Sequence, residues 1–320
     1  MFLRNTIVLA GLESTYGTAA TLTGADAILL SDVSIRPLVA NNVDRTLVRG
    51  FFGGNSQLVG TTYAEVTCTV ELAGSGTPTT PPKWGRLLQA MGFAQTIGAA
   101  SVDYTPVSTF GASSSLTMRY FLDGLLMQLT GVRGTATIAM GVGERPELRC
   151  RFVGLYSAPS AASNPSPDYT AFRAPVAVTD TNTGDLLIGN VTYTAGSGTV
   201  AGGTPFVGAG VQLDLRNDVV FRPLLGREQV LITQRDVAGS FSLDLDPAQV
   251  VTAMADVRAN TLSAFGITHG TTAGNIIALH APSFQRIDPT VEDLDGVAMS
   301  AFALRLLPLV GNDELRIVVR

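Results

Sequence analysis

His269 and His280 are the only imidazoles, and Cys68 and Cys150 the only thiols, in this 320-residue chain. A nucleophilic triad needs a histidine beside an activated serine, and no serine sits in a G-x-S-x-G elbow. A His/Asp/Ser set can be assembled on paper, but serines and aspartates are too common for that to select a site. The two histidines with Asp293 or Asp295 offer metal ligands, yet neither an H-x-x-x-H nor a C-x-x-C spacing supports a metal centre. Gly74-Ser75-Gly76 and Gly208-Ala209-Gly210 lack the lysine and hydroxyl of a phosphate-cradling loop and read as turns. The proline-rich stretch 78–82 reads as a polyproline ligand or simply as the loop before a helix. The expectation is therefore no catalytic residue, no metal and no cofactor. Cys68 and Cys150 fall on the apolar side of alternating segments, where a small core hydrophobe is expected and a lone disulfide is the alternative.

The more informative polar residues are carboxylates and hydroxyls at period two. In residues 61–72, Ala64, Val66, Cys68, Val70 and Leu72 fall on one face, and Tyr63, Glu65, Thr67, Thr69 and Glu71 on the other. Residues 240–246 repeat this, with Phe241, Leu243 and Leu245 opposed to Ser240, Ser242, Asp244 and Asp246. Each polar face reads either as a solvated outer face or as the lining of something polar and continuous.

The elements that carry these faces are mostly β. Thirty-four glycines and 16 prolines punctuate short alternating segments. Residues 83–91 place Trp84, Leu87, Leu88 and Met91 at helical spacing, with Gly92 as a stop. A second helix follows Asp246 as cap and Pro247 in the first turn, carrying Val250, Val251, Met254 and Val257. Each polar strand thus leads into a helix. Val33-Ser34-Ile35-Arg36-Pro37-Leu38 is echoed by Val219-Val220-Phe221-Arg222-Pro223-Leu224. Segments 116–129, 135–140 and 147–155 predict three strands, with 262–268, 275–281 and 297–307 as counterparts. This self-similarity predicts an internal duplication. It gives a first unit over 1–156, a linker over 157–175, and a second unit over 176–320. Residues 179–210 read as a Gly/Thr-rich hairpin or loop, with 21–31 as its equivalent in the first unit.

Composition limits the partners. Only 15% of residues are charged, against roughly 25% usually, while 46% are hydrophobic, so the chain is too apolar for disorder. Twenty-one basic against 26 acidic residues give a net charge of -5, which excludes a duplex-DNA binder held by a basic surplus. No apolar run approaches the ~18 residues of a spanning helix. The short apolar start lacks the small-residue cleavage site of a signal peptide. So few charges predict extensive burial between subunits.

The sequence resembles the tail tube (major tail) proteins of long-tailed bacteriophages along nearly its whole length. The resemblance rests on Ser14-Thr15-Tyr16-Gly17-Thr18, the Val33 to Leu38 segment, Val70-Glu71-Leu72-Ala73-Gly74-Ser75-Gly76-Thr77, and Trp84-Gly85 followed by Leu87, Leu88 and Gly92-Phe93. It continues through Tyr104-Thr105-Pro106, Leu122-Asp123-Gly124, Gly131-Val132-Arg133-Gly134 and Gly154-Leu155-Tyr156. Thr268-His269-Gly270-Thr271-Thr272-Ala273-Gly274-Asn275 and Gly311-Asn312-Asp313-Glu314-Leu315 complete it. Each motif is weak alone; their order and spacing make the match specific.

The resemblance implies a mainly β fold with short helices, here two tail-tube-type β-sandwich or barrel domains whose strands join neighbours into a ring-shaped β-barrel. It implies a structural virion protein of siphovirus-like tails, not an enzyme, stacked into a hollow tube through which DNA is ejected. Two units per chain imply a trimeric, pseudo-hexameric ring, with a hexamer as runner-up. Glu65, Thr67, Thr69, Glu71, Ser240, Ser242, Asp244 and Asp246 are then expected to line the lumen, where carboxylates repel phosphate and DNA passes without specific binding. The implied partners are tail tip, tape-measure and tail terminator proteins, with assembly in the host cytoplasm and no membrane contact. A phage decoration or host-recognition module that forms no tubes is the competing reading.

Overall fold

The computed structural model describes residues 2, 4–110 and 115–320. The first half runs β1 (Thr6–Leu12), β2 (Ser31–Val43), β3 (Leu58–Glu71), α1 (Gly85–Ala90), β4 (Phe93–Ile97), β5 (Val102–Pro106), β6 (Leu116–Leu122), β7 (Leu125–Gly141) and β8 (Glu147–Tyr156). A two-residue β9 (Ser160–Ala161) follows. The second half runs β10 (Leu186–Thr194), β11 (Thr199–Phe206), β12 (Gly208–Asp214), β13 (Asn217–Leu224), β14 (Arg227–Arg235) and β15 (Ala238–Leu243). It ends with α2 (Pro247–Ala259), β16 (Leu262–His269), β17 (Ile277–Leu294), β18 (Val297–Leu306) and β19 (Arg316–Val319).

The strands form because their side chains alternate, and the alternation fixes register. Cys68 lies opposite Cys150, Val66 opposite Phe152 and Val70 opposite Leu148, all buried. Both cysteines are free thiols in the core, as small hydrophobes would be. Residues 116–129, expected as one strand, are a hairpin: Asp123 and Gly124 both take positive φ, which turns β6 into β7. The first helix is shorter than the expected 83–91, because Trp84 is its N-cap and Met91 its C-cap, with Gly92 at φ +82 ending the turn as expected.

Within each half the sheet is ordered the same way. In the first half the hydrogen-bonded order is β1–β6–β7–β8–β3–β2. In the second it is β10–β16–β17–β18–β15–β12. Every pairing is antiparallel, and the strands occur in matching order along the chain. The six-residue echo does not follow this correspondence. Residues 33–38 lie in β2 where the hairpin enters the main sheet, whereas 219–224 lie in β13, which forms a separate two-stranded sheet with β14.

The halves are knit together. β12 pairs with β7, from Gly210 opposite Gly141 to Asp214 opposite Thr137, and β19 pairs with β5. The stretch expected as a linker is pinned to the first half, since β9 pairs with β7 and the Asp168 N–H donates to the Gly24 carbonyl at 2.9 Å. Within 179–210, expected as a hairpin or loop, β10 and β11 pair with each other, and β10 docks into the main sheet against β16. Residues 21–31 form no equivalent hairpin; they hold a 3-10 turn over Gly24–Asp26. Among the described residues the sheet of one chain does not close on itself as a barrel. No helix there is long and apolar enough to cross a membrane.

Candidate wall face and the joint between halves

The β7–β12 joint makes one continuous sheet of β2–β3–β8–β7–β12–β15–β18. Residues directly opposite each other share a face, so register carries a face across all seven strands. Starting from Thr67, the chain of opposites is Arg151 and Thr135, then Thr137 two residues on, Asp214, Ala238 and Arg305. Gln212, Ser240 and Ala303 form the adjacent row. The two polar strand faces recognised in the sequence therefore lie on the same side of one sheet. The other side is core, where Val66, Phe152, Ile138, Leu213, Phe241 and Phe302 are buried.

On the polar side the carboxylates are not free. Glu65 sits between two arginines, accepting from Arg36 Nη1 at 3.2 Å and Arg151 Nη2 at 2.7 Å, and it is buried by them. Glu71 pairs with Arg145 at 3.0 Å, and Glu147 takes Arg145 and Arg149 at 2.7 and 3.1 Å. The Arg145 hydrogen bond, with Arg149 behind it, holds the Glu147 carboxyl below the usual carboxylate range against a smaller opposing effect of burial. Farther along, Arg305 pairs with Asp236 at 3.2 Å. The face is thus a lattice of ion pairs with hydroxyls between them, five arginines against four carboxylates among those named, where the sequence alone suggested an acidic one.

The eight residues singled out in the sequence divide. Glu65, Thr67, Thr69 and Glu71 lie together on β3, and Ser240 and Ser242 join them across the sheet on β15. Thr67 and Ser240 are exposed, Thr69 is buried, and Ser242 donates to Glu292 at 2.8 Å. Asp244 and Asp246 lie past the strand, which ends at Leu243. Asp244 donates its N–H to the Val207 carbonyl, while Asp246 accepts from the Gln249 N–H at 2.8 Å and caps α2. Arg149 and Arg151 are what the sequence reading passed over. They flank Cys150 at the period that places Glu65 and Glu71, so the same alternation test would have found them.

His269 is tied into the fold on both ring nitrogens. His269 bonds Thr183 at 2.8 Å and the Val176 carbonyl at 3.1 Å, and burial holds its pKa below the ordinary value. Among the described residues no three metal-ligating side chains cluster.

A family model described as phage tail tube protein matches residues 4–301. The chain belongs to that family. No curated protein matches it. Tail tube proteins are structural components of the virion tail that self-assemble into a tube, and this member has a mainly β architecture.

Proposed function

We propose that three copies of the chain close into a ring in which each copy supplies two tube-like units, and that rings stack into the hollow tail tube through which genomic DNA is ejected. The carrying observation is the β7–β12 joint, a side-by-side link between two sheets of identical strand order. An internal duplication that joins its own halves edge to edge is one repeat of a cyclic assembly, and two such units in each of three chains give six around the axis. The units correspond to 1–156 and 176–320, joined by 157–175.

The polar face is the natural wall of the bore. A duplex must slide along it, so bare guanidiniums would be a fault, because each phosphate contact adds salt-sensitive affinity. Arg36 and Arg151 are instead bound to Glu65, and Arg145 and Arg149 to Glu147. Pairing removes most of the positive charge, and salt screens the remainder beyond a Debye length of ~8 Å. Hydroxyls at Thr67 and Ser240 and the amide of Gln212 keep the face hydrated between them. Assembly in the host cytoplasm, on a tail tip, around a tape-measure protein and up to a terminator, completes the role.

The test is the mass of one ring, from native mass spectrometry of short tubes or mass-per-length electron microscopy. Three chains per ring support the reading. Six chains per ring reject the pseudo-hexamer, and a chain that stays monomeric at all concentrations favours the decoration module.

A further inference from the structure

We infer that neighbouring copies are joined by the outer edge of β2 from one copy pairing with the outer edge of the C-terminal half of β17 from the next, repeating the β7–β12 joint between chains. This rests on the ring reading above and names the surface that makes it. In the shared strand order, β2 corresponds to β12 and β17 to β7. β12 pairs on one edge with β15 and on the other with β7. Among the described residues β2 pairs with β3 alone, leaving its second edge bare. β7 uses one edge for β8, and divides the other between β6 near its start and β12 near its end. β17 is built alike, except that β16 accompanies it only as far as Gln285, so the edge beside Thr290 to Leu294 holds no strand. Each vacant edge is thus the counterpart of one member of a joint already formed inside the chain.

Surface chemistry agrees. Val291 lies opposite Ser300 and so points to the same side as buried Leu243, yet it is 72% exposed, as a core residue missing its cover would be. Leu294 and Val297 beside it, and Leu38 and Val43 on β2, are also exposed. Long bare edges with apolar side chains are an aggregation hazard unless a strand covers them. Segment 287–304 carries Asp288, Glu292, Asp293 and Asp295 and no lysine or arginine. β2 and the arm beyond it, residues 31–57, carry Arg36, Arg45 and Arg49 against Asp32 and Asp44. The pairing is therefore heterologous, joining two different edges, one acidic and one with a small basic surplus.

The experiment is cross-linking with a short bismaleimide. Two differently tagged chains are prepared, one with Leu38→Cys and a second with Asp293→Cys, the native thiols being buried. Both positions are exposed, and circular dichroism checks that each chain folds. Mixing the two should give a covalent dimer carrying both tags, absent from either chain alone. A chain bearing both substitutions should give a ladder that stops at a closed trimer. Dimers carrying one tag only, or micrographs with rings but no two-tag product, would overturn the assigned edges while leaving the ring intact. Wild-type chain without rings at any concentration would overturn both the edges and the ring.

Discussion

The two helices occupy the same place in their halves, directly after the strand that carries the polar face, yet they live in different surroundings. Around α1 the side chains of Trp84, Leu87, Leu88 and Met91 are all buried, and the Trp84 Nε1 donates to the Ala73 carbonyl at 2.8 Å. Along α2 only Ala253 is buried, and Val251 is 70% exposed. The first helix is held by packing; the second is held by its ends and edge, through the Asp246–Gln249 capping box and the Arg286–Asp256 pair at 2.6 Å. The long hairpins differ in the opposite sense. β13–β14 is docked on the first half, where Tyr16 bonds Val230 and Phe221 stacks on Tyr63 at 5.2 Å. The distal part of β2–β3 leaves Phe51 and Phe52 in solvent. Elements of similar strand order are covered where the chain supplies a partner and bare where it does not.

The largest effect that sharpens this contrast is Trp84→Ala. It should cost about 3–5 kcal/mol by emptying a filled core site, whereas Val251→Ala on α2 should stay within about 0.5 kcal/mol in the unassembled chain. Urea unfolding of both variants checks the difference, and equal losses would break the comparison.

Next comes the seam between the halves. A Cβ on Gly74 would lie 1.9 Å from the Gly274 carbonyl oxygen, in a crossing where the Gly76 N–H also donates to that oxygen at 2.9 Å. Gly74→Ala should therefore destabilise by roughly 1–3 kcal/mol through forced displacement of backbone. Gly54→Ala, with open space around it, should be far milder. Limited proteolysis should find the halves loosened in the first variant only.

Removing the cap is smaller. Asp246→Ala should cost about 1 kcal/mol, read as lower helicity and an earlier urea midpoint, with Asp246→Asn retaining most of the stability.

The smallest effect concerns pH. Burial lowers the pKa of His280, with Arg316 adding to the shift, and burial likewise lowers that of His269. The unfolded chain, with histidines near 6.5, then binds protons that the folded chain refuses. Their stabilisation is complete above that value and is lost as pH falls below it, down to the lowered folded-state pKa. His280→Gln should flatten the dependence of the urea midpoint between about pH 7.5 and about pH 5.5, roughly one pH unit either side of the unfolded value.

What was legible in the sequence was local. Period-two alternation placed Val66, Cys68 and Val70 inside and Thr67 outside, and Asp246-Pro247 announced α2. The eye was drawn to Glu65 and Glu71 because they are acidic, and nothing local says that Arg36, Arg145 and Arg151 neutralise them across strands up to 86 residues apart. The echo at 33–38 and 219–224 pointed to a repeat but marked strands that do not correspond, since a hairpin arm can keep its composition while its register in the sheet changes. The two halves match in pairing order, which long-range hydrogen bonds write and composition does not. Gly74 reads as an ordinary turn glycine in the sequence, because only its approach to Gly274 explains it.

The central claim is that one polar sheet face, running from β3 through the joint to β15, lines a bore built from six units in three chains. A cryo-electron microscopy map of the assembled tube tests it most directly. The account predicts three chains per ring, with Thr67, Arg151, Gln212 and Ser240 directed at the axis and Val66, Leu213 and Phe241 inside the wall. A ring of six chains, or a map in which these polar residues face the outside of the tube, would contradict it.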